Sequence, residues 1–251
     1  MHLFLDNQVA FVSGSTRGIG KAIAHALAKE GCRVFINGRD GSSVLELVDT
    51  WNKNGLKVYP AICDVSEKEQ VENTISGILS NHECINILVN NVGIYDFKPL
   101  EEITAEEWDY HMKVNWRSTF LLSKEVLPSM KKYRGGRIIN ISSVRGFSGR
   151  ADGAPYNVAK GGLLSFTQGL AREAGPFNIT CNAIAPGYIL TEGMKEVADK
   201  RGLELENLKH LSPLNRIGDP EDVANFVLFL ASPLSKFITG QVFVIDGGAF
   251  I

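Results

Sequence analysis

The sequence has little of what marks several protein classes. Its four cysteines, Cys32, Cys63, Cys84 and Cys181, stand far apart with no C-x-x-C pair. That excludes a disulfide-stapled framework and fits reduced, buried, small apolar residues. The five histidines are dispersed, no pair has metal-ligand spacing, and no metal site is assigned. No run of eighteen apolar residues occurs, so no membrane-spanning helix is expected. The start, "MHLFLDNQVAFVSG", has neither a basic segment nor a long apolar run. The expectation is a cytoplasmic chain without a signal peptide. An excess of charge is also missing: 26 Lys and Arg against 28 Asp and Glu leave a net charge of −2. Composition therefore gives no electrostatic case for nucleic acid. Repeats, low-complexity tracts and Pro/Ser-rich linkers are absent, so residues 1–251 are read as a single domain.

What is present is an alternation. Short β-branched runs, "VAFVSG", "RVFING", "LKVYPAICDV", "INILVNN", "GRIINISS", "ITCNAIAPG" and "QVFVIDGG", alternate with helical segments. Those segments are Gly20–Glu30, Ser42–Asn54, Glu67–Ser80, Thr104–Met130, Tyr156–Ala174 and Pro220–Ala231. The pattern predicts an α/β fold: a Rossmann-type, doubly wound, parallel seven-stranded sheet with helices on both faces. Tyr188–Asp219 holds no strand pattern, and "KEVADKRGLELENLKH" within it reads as helical. An insert of that length in a compact domain is usually functional, and residues 188–219 are expected to form a substrate lid.

"SGSTRGIG" (Ser13–Gly20) follows the first run and opens a helix. In a doubly wound sheet that turn takes the pyrophosphate of a dinucleotide. Gly14 permits a sharp turn, Gly18 a close backbone approach, and Gly20 close helix-on-strand packing. The free N–H groups of the helix start face the anion. The spacing, G-x-x-x-G-x-G, differs from the common G-x-G-x-x-G; a glycine-rich turn with no ligand is the plain alternative. At the end of "VFINGRD", Gly38 stands where an acidic residue would bind the ribose of NAD. Arg39 follows, and Arg17 lies in the glycine turn. Two guanidiniums suit a 2′-phosphate, which predicts NADP(H) over NAD(H). The alternative gives the acidic role to Asp40 and leaves Arg39 in solvent.

Tyr156 and Lys160, in "APYNVAKGG", lie one turn apart on one helix face. Alone they read as ordinary helix residues. With the other motifs, the chain resembles the short-chain dehydrogenases/reductases of the single-domain subtype over essentially its whole length. The family's T-G-x-x-x-G-x-G matches "SGSTRGIG", with Ser13 for threonine, and its N-N-A-G matches "NNVG". Its catalytic asparagine, serine, tyrosine and lysine match Asn115, Ser143, Tyr156 and Lys160. Ser142 is the competing serine; Ser143 has the family spacing to Tyr156. The resemblance implies a cofactor site of Gly14, Ser15, Thr16, Arg17, Gly18, Ile19, Gly20, Arg39, Asp64, Val65, Asn91, Gly93, Tyr156, Lys160, Pro186, Gly187, Ile189 and Thr191. Asp64 would contact the adenine, Thr191 the nicotinamide amide.

Reducing a ketone requires a hydride at carbon and a proton at oxygen; the cofactor supplies the hydride. Tyr156 would be the general acid in reduction and the base in oxidation. An ammonium nearby lowers a phenol's pKa, a use for Lys160, which in the family also holds the nicotinamide ribose. Ser143 would bond the substrate oxygen, and Asn115 would hold a relay water. Tyr95, Asp96, Phe97, Arg145, Phe147, Tyr188, Ile189 and Leu190 are the expected pocket. Arg145 is read as either a partner for an acidic substrate group or a surface-loop arginine.

Many relatives of this subtype are 3-oxoacyl-[acyl carrier protein] reductases, and "MKKYRGGR" resembles part of their carrier-docking surface. Phe177 stands where a second docking arginine is usual. Sugar, polyol and steroid dehydrogenases share the same catalytic set, and a non-catalytic NADP(H)-binding sensor is the reading from another class. Gly162, Ser165 and Gly169 form a small-residue stripe. In the family this helix packs on its twin, which implies a homotetramer or homodimer.

Overall fold

The computed structural model describes residues 2–250; Met1 and Ile251, the ends of the expected 1–251 unit, lie outside the described residues. The strands are β1 (Val9–Val12), β2 (Arg33–Gly38), β3 (Val58–Ile62), β4 (Ile87–Asn90), β5 (Gly136–Ile141), β6 (Ile179–Pro186) and β7 (Val242–Ile245). All pair in parallel, in the order β3-β2-β1-β4-β5-β6-β7. This is the expected doubly wound Rossmann-type sheet. The winding reverses between β1 and β4, which opens a crevice at the carboxyl ends of those strands.

The helices are α1 (Gly18–Lys29), α2 (Gly41–Lys53), α3 (Lys68–Leu79), α4 (Ala105–Met112), α5 (Ser118–Tyr133), α6 (Ala154–Ala174), α7 (Glu192–Arg201), α8 (Leu205–Lys209) and α9 (Pro220–Ala231). Strand side chains alternate between two cores. Ala10, Val12, Ile139 and Ile141 pack under α1, α2 and α9. Val9, Phe11 and Ile138 pack under α3, α5 and α6. Both faces are covered, so the strands read as continuous apolar runs rather than alternating ones. The edge strand β3 carries Pro60, where a missing N–H costs no inner ladder bond. Capping boxes start α4 (Thr104 with Glu107) and α9 (Asp219 with Asp222). All four cysteines are free and buried; burial pushes the thiols of Cys32 and Cys181 up to about 12. No helix among the described residues is long and apolar enough to cross a membrane.

Two segments differ from the periodicity. Thr104–Met130 is not one regular helix: a π-turn, Lys113–Arg117, joins α4 to α5. One extra residue per turn leaves the hydrophobic pattern almost unchanged, which hides it from sequence. The "KEVADKRGLELENLKH" helix is broken at Gly202, which adopts φ +60° and ends α7. The ends of this insert are tied together: Leu190 N–H donates to the Gly218 carbonyl at 2.8 Å and Gly218 N–H to Tyr188 at 3.0 Å.

Candidate active site

The glycine turn follows from three backbone demands. Gly14 and Gly18 have φ of +60° and +55°, the left-handed region that favours glycine. A Cβ on Gly20 would lie 2.3 Å from the Gly14 carbonyl oxygen, so only glycine lets α1 sit this close to the turn. Ser15 turns inward. Its hydroxyl donates to the Val12 carbonyl at 2.7 Å and accepts from Asn37 N–H at 2.8 Å, so it braces the turn and does not line the cleft. Asn37 was not among the sequence candidates; it accepts from Gly14 N–H at 3.1 Å and donates to the Ala61 carbonyl at 2.8 Å. A buried asparagine inside an apolar strand is the signal that marks it.

The turn already holds anions of the chain itself. Gly18 N–H donates to a Glu192 carboxylate oxygen at 3.1 Å, and Arg17 pairs with Glu196 at 3.0 Å. Both glutamates belong to α7 and neither was a sequence candidate. At the end of β2, a Cβ on Gly38 would meet the Thr16 methyl at 2.9 Å, which explains the lack of a carboxylate there. Arg39 points along the cleft, 3.6 Å from Asp64. Asp40 instead caps α2, accepting from the N–H groups of Ser42 and Ser43. Hydrogen bonds from Ser43 and Ser42 hold its carboxyl down to about 2.

After β4, Asn91 ties this strand to the turn, its amide donating to Ser13 and Gly14 carbonyls at 3.0 and 3.1 Å. Gly93 lies between two other candidates: a Cβ there would be 3.2 Å from both Asn115 Oδ1 and Lys160 Nζ. Asn115 comes from the π-turn, fully buried.

Ser143 and Tyr156 meet because two backbones touch. A Cβ on Gly146 would lie 2.8 Å from the Lys160 carbonyl oxygen, and one on Gly161 would lie 3.2 Å from the Gly146 oxygen. The turn after β5 therefore rests directly on α6, which brings Ser143 close to Tyr156. Ser142 faces the other way, donating to the Lys160 carbonyl at 2.8 Å. Gly161 thus serves the site. Gly162 packs inside the subunit against Trp116, whose Nε1 a Cβ would meet at 2.9 Å, while Gly169 has nothing within 4 Å.

Burial pushes the Tyr156 phenol up, and the nearby Ser143 hydroxyl opposes the rise. Burial also pushes the Lys160 ammonium down to about 8. Lys160 Nζ donates to the Ile141 carbonyl at 2.8 Å and lies 5.8 Å from the centre of the Tyr156 ring. The phenol and ammonium are neighbours without a direct hydrogen bond.

These groups border one cleft of about 550 Å³, with Thr16, Arg17, Ile19, Arg39, Asp64 and Val65 toward the glycine turn and Ser143, Tyr156 and Lys160 deeper in. Asn91, Gly93, Tyr95, Arg145, Pro186, Gly187, Tyr188, Ile189 and Thr191 line it as well. Arg145 is no loose surface arginine: it donates to the Tyr188 hydroxyl at 3.0 Å. Phe147 is a correction. The tight turn at Val144–Gly146 swings it outward, 49% exposed and against Phe250 at 6.1 Å. Asp96 and Leu190 also stay off the cleft wall, while Met194, Leu203 and Leu208 of the insert join it.

Sheet order and cleft together define a doubly wound α/β protein with its site at the switch point of the sheet. A family model described as enoyl-(acyl carrier protein) reductase matches residues 14–249. The chain belongs to the short-chain dehydrogenase/reductase family. It is 39% identical over 251 residues to a 3-oxoacyl-[acyl-carrier-protein] reductase FabG of Aquifex aeolicus, covering 100% of both chains. It is 37% identical to the human dehydrogenase/reductase SDR family member 4, over 97% of this chain and 88% of that one. The solved gluconate 5-dehydrogenase of Burkholderia cenocepacia, in complex with NADP and tartrate, superposes with a TM-score of 0.93 at 33% identity, covering 99% and 97% of the chains.

Proposed function

We propose that this chain is a carbonyl reductase that uses NADP(H) to interconvert a ketone and a secondary alcohol. The observation that carries the reading is the convergence of Ser143, Tyr156 and Lys160 in a cleft whose other end is an anion-holding glycine turn. The turn fits the group it would hold, because Gly18 N–H already binds a carboxylate oxygen. The nicotinamide cofactor supplies a hydride when bound. Gly14, Thr16, Gly18 and Ile19 would hold its phosphates, Arg39 and Arg17 the 2′-phosphate, Asp64 and Val65 the adenine, and Lys160 and Thr191 the nicotinamide end. Tyr156 carries the proton to the substrate oxygen, Ser143 donates to that oxygen, and Asn115 and Lys160 resupply the proton. Residues 188–219 act as the lid.

A small, free ketone is favoured over a carrier-bound one. Of the basic run, Lys131 is held by Glu173 at 3.0 Å and stands over the Phe177 ring, and Arg137 is half-buried. Arg145 forms no ion pair among the described residues, which favours substrates with an acidic group. NADPH consumption over a panel of keto acids, keto sugars, cyclic ketones and β-ketoacyl thioesters tests this. No turnover on any of them, with NADPH still bound, turns the reading to a sensor. Wild type should prefer NADPH to NADH. Arg39→Ala should lose roughly tenfold or more in NADPH kcat/KM, the scale of hydrogen bonds to one charged group, and leave NADH nearly unchanged. A wild type that prefers NADH defeats the 2′-phosphate assignment.

We also propose that two copies meet on α5 and α6, where Phe120 is 41% exposed and Ser165 and Gly169 are exposed. Light scattering should find a tetramer or dimer, and Gly169→Arg should shift it to a smaller species; a wild-type monomer ends the idea.

A further inference from the structure

His111 has no part in the chemistry described so far. It sits near the end of α4, four residues before Asn115, and is 7% exposed. Two contacts define what it does. Asn115 Oδ1 accepts from Ile94 N–H at 2.6 Å. Turning the amide over would set an NH2 group against that donor, so the orientation is fixed. Asn115 Nδ2 then faces His111 Nδ1 at 3.3 Å. An NH2 group only donates, so Nδ1 is the acceptor, the ring proton is on Nε2 and the ring is neutral.

Behind this pair the packing is tight. A Cβ at Gly93 would lie 3.2 Å from both Asn115 Oδ1 and Lys160 Nζ. The amide, the Gly93–Ile94 turn and the ammonium therefore share one block, and the π-turn is what aims Asn115 into it.

We propose that neutral His111 is a positioning residue: by accepting from Asn115 it fixes the amide that holds the Gly93–Ile94 turn against Lys160. The inference rests on the reading of Tyr156 and Lys160 as the proton-handling pair. Protonation of Nδ1 replaces the acceptor with a donor and breaks the contact.

The charges around the ring are few. Asp96, in the loop after β4, and Glu107, on α4 itself, favour the charged ring, but burial outweighs them and holds its pKa below the ordinary histidine value. Glu107 is bonded to Lys98. In the π-turn, Lys113 is paired with Glu67 and Arg117 is exposed. From α6, Lys160 lies beyond Asn115.

The direction of reaction makes the test specific. In reduction Tyr156 must carry its proton and Lys160 its charge. Acid satisfies both, and Ser143 and Asn115 do not titrate. An acid-side loss of kcat that disappears in His111→Gln therefore reports His111.

The experiment measures kcat for ketone reduction, at saturating NADPH and ketone, from about pH 5 to 9, across the ordinary histidine range. Wild type should lose kcat on the acid side, below the ordinary histidine range. His111→Leu should lower kcat about tenfold at every pH, the rate equivalent of one lost hydrogen bond, with no acid limb. Its KM for NADPH should stay unchanged. His111→Gln, whose amide oxygen can accept from Asn115, should restore kcat and remain flat into acid. Wild-type kcat in His111→Leu, or an acid limb that persists in His111→Gln, overturns the inference. If His111→Leu does not fold, the His111→Gln profile decides alone. Turnover retained in Tyr156→Phe would instead overturn the underlying reading, so the two failures are distinguishable.

Discussion

Tyr156→Phe is expected to lower turnover by about 100- to 10,000-fold, the range supplied by a positioned general acid. NADPH affinity, followed by fluorescence, should stay within about twofold, since one uncharged hydroxyl is lost and the ring remains. The fold should tolerate the change. Ser143, the hydroxyl's neighbour, still accepts from Arg145 N–H at 3.1 Å, so the turn after β5 keeps its anchor. The pH dependence of the wild type gives a second check. Burial raises the phenol above its ordinary value, so it carries its proton through neutral pH. Reduction should fall first as Lys160 loses its charge at about 8 and further as alkali ionises the phenol, whereas oxidation, which needs the phenolate, should rise. Retained turnover in the phenylalanine variant refutes the acid/base role.

Gly20→Ala should damage both stability and cofactor binding. Its Cβ would stand 2.3 Å from the Gly14 oxygen and 2.5 Å from Asn91 Nδ2. The first is backbone and cannot rotate away. Either α1 moves off the turn or the Asn91 ties to Ser13 and Gly14 break. Overpacking of this kind costs about 1–3 kcal/mol, and a rigid backbone partner puts this site at the upper end. Urea unfolding measures it, and the displaced Gly18 N–H should weaken NADPH binding in parallel. Gly77→Ala is the control. Its Cβ meets nothing within 4 Å, so α3 should gain up to about 1 kcal/mol. Equal stability of Gly20→Ala and wild type would show that the turn yields.

What could be read from the sequence, and what could not, divides along the range of the physics. The strands are legible because burial on both faces demands continuous apolar runs. The glycine turn is legible because Gly14 and Gly18 need a backbone shape that other residues resist. Spacing shows only that Tyr156 and Lys160 share a helix face; their role as a pair is what the family resemblance implies, with Ser143 and Asn115 at matching places. The π-turn does not show, since one extra residue hardly disturbs a 3.6 period. Gly162 looks like part of an intersubunit stripe, yet it packs against Trp116, and its neighbour Gly161 against the Gly146 backbone. Phe147 is adjacent to the site in sequence, but a single tight turn points it away. Glu192 and Glu196 bond to residues 174 and 179 positions earlier. Contacts that distant leave no local trace in a polar, weakly patterned insert.

Those two glutamates change what it means for this cleft to take up a ligand. On the proposed assignment, an arriving phosphate would compete with Glu192 for Gly18 N–H, and Arg17 would have to release Glu196 before gripping a 2′-phosphate. Uptake is an exchange of one set of anions for another, so the charge at the turn changes by less than the ligand carries. Affinity should then fall less steeply with added salt than the number of phosphates implies. Both carboxylates ride on α7, so the same exchange would unlatch the insert. By thermodynamic reciprocity, a substrate that draws the insert away from the turn strengthens dinucleotide binding by the same factor that the dinucleotide strengthens its own.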